Sequence, residues 1–204
     1  MDEKETQTID FEETQNAANT AKRVAAYCDR LINHASIVSE KEYQKFLLER
    51  LEKDNGYIIR KASNFDRYFA VDREMLFKFL NDTQPETMEY LRKIYKADLE
   101  ETIVSFINAE TTKARGSLIE VLKHGIELSN QKLELMYTKP ATTFNPELTR
   151  KYGQNIFSVM EEVYASDKER VDVVIFLNGL AIMSFELKCN AAGQSYQDAI
   201  YQFR

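Results

Sequence analysis

Asp172, Glu186 and Lys188 are the residues whose types and spacing could do chemistry. They form the pattern D-x13-E-x-K near the end of the chain. Glu186 and Lys188 are two apart, so on a strand they share a face. The runs around them, RVDVVIFL and LAIMSFELK, are strongly apolar. Charges in such surroundings cost several kcal/mol unless they are paired or bound to a metal. Phosphodiester hydrolysis would use them. Two carboxylates can hold Mg²⁺, which prefers hard oxygen ligands, and the Leu187 carbonyl between Glu186 and Lys188 offers one more. The ion would polarise a phosphate and generate hydroxide from water, and the lysine would position that water or meet developing charge. The bland alternative is an ion pair between Glu186 and Lys188 on a surface strand, with Asp172 at a strand end. An ExK triplet alone does not separate the two.

Asn178-Gly179 lies between the two apolar runs and predicts a β-hairpin. Both faces of its strands are apolar, which predicts a central location covered on both sides. A two-residue loop with unbroken pairing would set Asp172 opposite Phe185, on the wrong face from Glu186. A three-residue loop, Leu177-Asn178-Gly179, sets Asp172 opposite Ser184 and diagonal to Glu186 on one face. The three-residue loop, with its left-handed glycine and bulge, is the expectation.

Upstream, residues 1–16 read as a polar leader and 17–35 as a helix by the spacing of Val24, Ala25, Cys28, Leu31 and Ile32. Ser39 followed by Glu42 is a capping-box pattern, and Tyr43, Phe46, Leu47 and Leu51 form the stripe of the helix it opens. Asn55-Gly56 ends that helix, and YIIRKA predicts a strand. Residues 72–128 carry apolar residues three or four apart, broken three times, and read as a helical insertion. From about 131 the period changes to two, and KLELMYTK and NIFSVMEEVYA predict strands joined by a loop with Pro140 and Pro146. GQSYQDAIYQFR reads as a helix still running at Arg204, so a fragment of a longer chain is expected.

Composition bounds the function classes. The 204 residues are 44% hydrophobic and 29% charged, ordinary globular values. No apolar run approaches the roughly 18–20 residues of a membrane helix, and the polar, acidic N-terminus carries no signal peptide. The net charge of −6 argues against a protein that coats nucleic acid. It leaves room for a nuclease, whose centre needs clustered carboxylates. Cys28, Cys189, His34 and His124 are isolated, so no zinc site of usual spacing forms, and two free thiols suggest a reducing cytoplasm.

The run RVDVVIFLNGLAIMSFELKCNAAGQSYQDAIYQFR resembles the nuclease core of type I restriction enzyme R subunits, the motor-and-nuclease subunits. REMLFKFLNDTQPE, GSLIEVLKHGIE and LELMYTKPATTFNPELTRKYGQNIFSV are similar to that family too, so the resemblance spans roughly residues 39–204. Ala181 stands where the family usually has proline. The resemblance implies an α/β fold with a restriction-endonuclease-like PD-(D/E)xK core, a mixed central sheet flanked by helices, plus the helical insertion at about 72–128. Residues 1–38 would be leader and helix, and 39–204 the nuclease domain. Asp172 and Glu186 would be metal ligands and Lys188 the catalytic lysine. Glu40 matches best the glutamate of the first core helix; Glu42 is the alternative, with capping as its other role. The Gln-x-x-x-Tyr element fits Gln202 by position, or Gln197 and Tyr201 by literal spacing; a plain amphipathic helix also fits.

The implied function is a Mg²⁺-dependent endonuclease cutting foreign double-stranded DNA in the cytoplasm, with specificity and methyltransferase subunits as partners. ATP would serve only the full-length protein, since this chain has no G-x-x-x-x-G-K-[ST]. Two other classes stay open: a non-catalytic interaction module with a nuclease-like fold, and a repair or recombination nuclease of the same fold.

Overall fold

The computed structural model describes residues 39–113, 116–142 and 144–187. The expected helix at 17–35 and Lys188, Cys189, Gln197, Tyr201 and Gln202 lie outside the described residues.

Helix α1 (Glu40–Asn55) opens on Ser39 and closes on Gly56, whose φ of 71° is the left-handed conformation that lets the chain turn off the helix. Strand β1 (Ile58–Arg60) follows, then the short β2 (Phe65–Asp66) and β3 (Val71–Asp72). Helices α2 (Arg73–Thr83), α3 (Pro85–Tyr95), α4 (Leu99–Thr112) and α5 (Leu118–His124) come next, with the two-strand ribbon β4 (Ile126–Leu128) and β5 (Gln131–Leu133). Helix α6 (Pro146–Tyr152) leads into β6 (Phe157–Tyr164), β7 (Arg170–Leu177) and β8 (Leu180–Phe185). The strands form one mixed six-stranded sheet in the order β1-β6-β7-β8-β3-β2, with β1 parallel to β6 and the other pairs antiparallel.

Two sequence expectations change here. KLELMYTK supplies only three residues of strand, because the chain leaves the ribbon after Leu133. The loop holding Pro146 contains a helix. Asn145 caps it through Oδ1, which accepts from the N–H groups of Glu147 and Leu148, and Pro146 takes the first helical position, where no N–H is needed.

Strands β6 and β7 are covered on both faces. Leu48 of α1 packs with Val159, Val173 and Ile175 on one side, while Met160, Val174 and Phe176 form the cluster on the other. Alternation of that kind is what a central strand requires. It changes phase at one end: Val163 and Val171, paired with each other, join the Met160 cluster. Glu162, between Glu161 and Val163, has a φ of 52°. Asp172 occupies the corresponding place on β7. A third cluster unites α2–α5, the β4–β5 ribbon and the hairpin tip residues Leu177 and Leu180.

The tip joins sheet to helices. Asn178 is fully buried; its Oδ1 accepts from Ile156 N–H at 2.7 Å and its Nδ2 donates to Leu135 O at 2.9 Å and Asn155 Oδ1 at 3.0 Å. Gly179, at φ 79°, lies so near α2 that a Cβ there would stand 2.4 Å from Asp72 O and 2.5 Å from Leu76 N. Only glycine fits. Nearby, buried Asp72 caps α2 and accepts from Arg60 Nε at 2.8 Å and Nη2 at 3.2 Å. The hydrogen bonds Arg60 donates to Asp72 raise the Arg60 pKa, with Glu74 adding to the effect against the opposing effect of burial.

Candidate functional site

The hairpin register decides whether Asp172 and Glu186 can share a site. The loop has two residues, not three: Leu177 pairs with Leu180 and Phe176 with Ala181. Asn178 and Gly179 both have positive φ, 50° and 79°, the turn whose twist matches the flanking strands. The extra residue is placed deeper in the strand. Ile175 pairs with Met183, so Ile182 is a bulge, and the pairing continues through Val174–Ser184 to Val173–Phe185. Asp172 is therefore not opposite Ser184. The pairing ends at Val173–Phe185, and one further step of the same register would bring Asp172 level with Glu186. The bulge shifts the register by one residue, so Asp172 lies level with the segment just after Phe185 rather than with Ser184.

The side-chain contacts agree. Asp172 is 13% exposed, and its Oδ2 accepts from the backbone N–H of Leu187 at 2.8 Å. The third residue of β7 is thus tied to the ELK segment just past the end of β8. Glu186 is half-buried, and Leu187 packs on the cluster around Leu48. Arg170 stands 3.9 Å from Asp172 Oδ1 and 3.5 Å from Glu162 Oε1. Both contacts are long and the arginine is half exposed, so each is worth little in stability.

Helix α1 lies along the same end of the sheet. Gln44 is buried, and its Nε2 donates to the backbone oxygen of Asp172 at 3.3 Å and to Glu161 Oε2 at 3.2 Å. Glu40 lies one turn earlier on that helix face and is half-buried. Glu42 is exposed and completes the capping box: its N–H donates to Ser39 Oγ at 3.3 Å, and Ser39 Oγ donates back to Glu42 Oε2 at 3.2 Å. Of the two candidate glutamates, Glu40 is the less exposed and lies on the helix face that carries Gln44.

Sequence reasoning missed Gln44, Glu161 and Arg170. A polar residue four positions after Glu40, flanked by Tyr43 and Leu47-Leu48, is the signal that could have found Gln44. Glu161 and Arg170 lie on either side of a change of phase in β6 and β7 that no alternation rule anticipates.

The candidate donors on these two tied segments, the Asp172 and Glu186 carboxylates and the Leu187 carbonyl, are hard oxygen ligands. Mg²⁺ commonly takes one or two protein carboxylates and fills its remaining positions with water and substrate phosphate, so the donor chemistry fits. Among the described residues no group of three or more His, Cys, Asp and Glu side chains is arranged to hold a metal. No described helix is long and apolar enough to cross a membrane.

No curated protein and no solved structure matches the chain. The family model for the type I restriction enzyme R protein N terminus matches residues 37–204, and the chain belongs to that family.

Proposed function

We propose that the chain is a Mg²⁺-dependent endonuclease domain with a PD-(D/E)xK centre, hydrolysing phosphodiester bonds in foreign double-stranded DNA as part of a type I restriction-modification enzyme. Type I restriction enzymes are multi-subunit assemblies acting on DNA, and the family implies a nuclease. The observation that carries the finer reading is the tie between Asp172 and the ELK segment, 2.8 Å from Oδ2 to Leu187 N–H, just past the last hairpin pair, Val173–Phe185.

In this reading Asp172, Glu186 and the Leu187 carbonyl hold the metal. When bound, the ion polarises the scissile phosphate and acidifies an attacking water. The Leu187 N–H fixes the rotation of the Asp172 carboxylate by occupying one oxygen. Glu40, delivered by α1, would complete the acidic set. Lys188, two residues after Glu186, would orient the attacking water or neutralise charge on the phosphate. Gln202, or the pair Gln197 and Tyr201, would approach from the segment after ELK. Sequence recognition would belong to a specificity subunit, since an acidic domain does not supply extensive phosphate contacts.

Calorimetric titration with Mg²⁺ or Mn²⁺ tests the assignment. Metal binding is expected in the wild type, lost in Asp172→Ala and retained in Lys188→Ala. A wild type that binds neither ion at millimolar concentration would sink the metal assignment and favour the non-catalytic interaction module.

A further inference from the structure

Glu40, Gln44 and Leu48 follow one another at four-residue intervals along one face of α1. The three do different work. Leu48 packs into the cluster of Val159, Val173 and Ile175. Gln44 is 7% exposed, and its single nitrogen bonds two strands at once, the Asp172 carbonyl of β7 and the Glu161 carboxylate of β6. Both acceptors flank the point where the two strands change phase. Burying an amide there is costly unless its hydrogens are used, and both are.

We infer that Gln44 is a positioning residue for the proposed metal centre: its amide clamps the backbone at Asp172 to the Glu161 carboxylate, and so fixes where α1 delivers Glu40 relative to Asp172. The inference rests on the reading of Asp172 and Glu186 as metal ligands. A neutral amide suits the task for a chemical reason. It offers two donors to two acceptors without adding charge beside a cation site. A carboxylate in its place would have no hydrogen to give and would repel Glu161. An apolar side chain would fill the space and leave both acceptors without this partner.

The contact with Asp172 is to its main chain, so it acts on where the residue stands, while Leu187 N–H acts on how its carboxylate is turned. Outer partners of this kind commonly change metal affinity by roughly 10–100-fold when removed.

The test measures Mn²⁺ affinity by calorimetry and thermal stability in parallel, on the 204-residue chain. Gln44→Met keeps the length of the side chain and removes the donors. Leu48→Val removes packing one turn away and touches no polar group. Gln44→Met is expected to weaken Mn²⁺ binding at least tenfold, within the range for outer partners. Leu48→Val is expected to lower the melting temperature and leave the affinity unchanged. Gln44→Glu supplies a second variant if the methionine protein does not fold; having no hydrogen to give either acceptor, it should also bind Mn²⁺ at least tenfold more weakly than wild type. Equal affinity in wild type and the folded Gln44 variants overturns the inference alone. Affinity that falls in step with melting temperature in all variants also overturns it, because Gln44 would then be merely structural. A wild type that binds no Mn²⁺ overturns the metal-site reading and the inference with it.

Discussion

Asp72 carries two duties that substitution can separate. Its carboxylate accepts from the Met75 N–H as the cap of α2, and it pairs with Arg60, whose side chain is 14% exposed. Removing Asp72 leaves the Arg60 guanidinium with only the exposed Glu74 as its partner, a loss that outweighs that of the cap. Asp72→Ala should therefore destabilise by about 3 kcal/mol, the lower end of the range for a broken buried pair, because Glu74 still pairs with Arg60. Asp72→Asn keeps an oxygen for the cap and should cost about 1 kcal/mol less. Denaturant unfolding of the two variants checks both values; equal losses would mean that the cap contributes nothing. The sequence displayed Asp72 as one more acidic residue before REMLFKFLN. Its partner is twelve positions upstream, on a strand edge, and pairing at that distance has no local signature.

At the scale of elements, hydrophobic spacing told helix α1, with its cap and its glycine stop, and strands β6, β7 and β8. Local chemistry decides those: a capping box, an Asn-Gly turn, runs of β-branched residues. It could not tell where the hairpin would place its extra residue. A bulge at Ile182 and a longer loop satisfy the same pattern of apolar residues, and packing of the tip against α2 selects the short loop. The placing of Gln44 against Asp172 needs two elements 128 positions apart, so only the assembled sheet reveals it. One strand also carries an unmet polar group. Ser158 of β6 is fully buried between β1 and β7, and its Oγ has no hydrogen-bond partner. Such a hydroxyl costs about 1–3 kcal/mol. Ser158→Ala should raise stability by about 1 kcal/mol, since the small cavity offsets part of the gain. A lower melting temperature in that variant would show that the hydroxyl is satisfied in solution.

Across the whole molecule, ion pairs tie the small outer strands to the helices. Asp66 of β2 accepts from Arg73 of α2 at 2.6 Å, and Arg73 reaches Glu101 of α4 at 2.9 Å. Burial alone would raise the Asp66 pKa; the Arg73 hydrogen bond and charge, with the N–H groups of Phe69 and Tyr68, reverse this and lower it below 3.8. A carboxyl with a lowered folded pKa adds stability above its unfolded value, and the contribution is lost as pH falls through the folded value. Melting temperature should therefore drop as pH falls below about 4, the ordinary carboxylate range. Asp66→Asn should flatten the drop while lowering stability at neutral pH. An unchanged acid profile would remove Asp66 from the account.

The buried hairpin tip has a chemical consequence as well. Asparagine followed by glycine is the dipeptide most open to spontaneous deamidation, because the small residue lets its nitrogen attack the neighbouring amide carbon. Here both atoms of the Asn178 amide are engaged and the side chain is sealed from water. The attack needs the tip to leave its socket first. Loss of this amide on storage thus records how often the sheet and the helices part company, and the resulting aspartate, in a site built for an amide, would keep them from closing fully again.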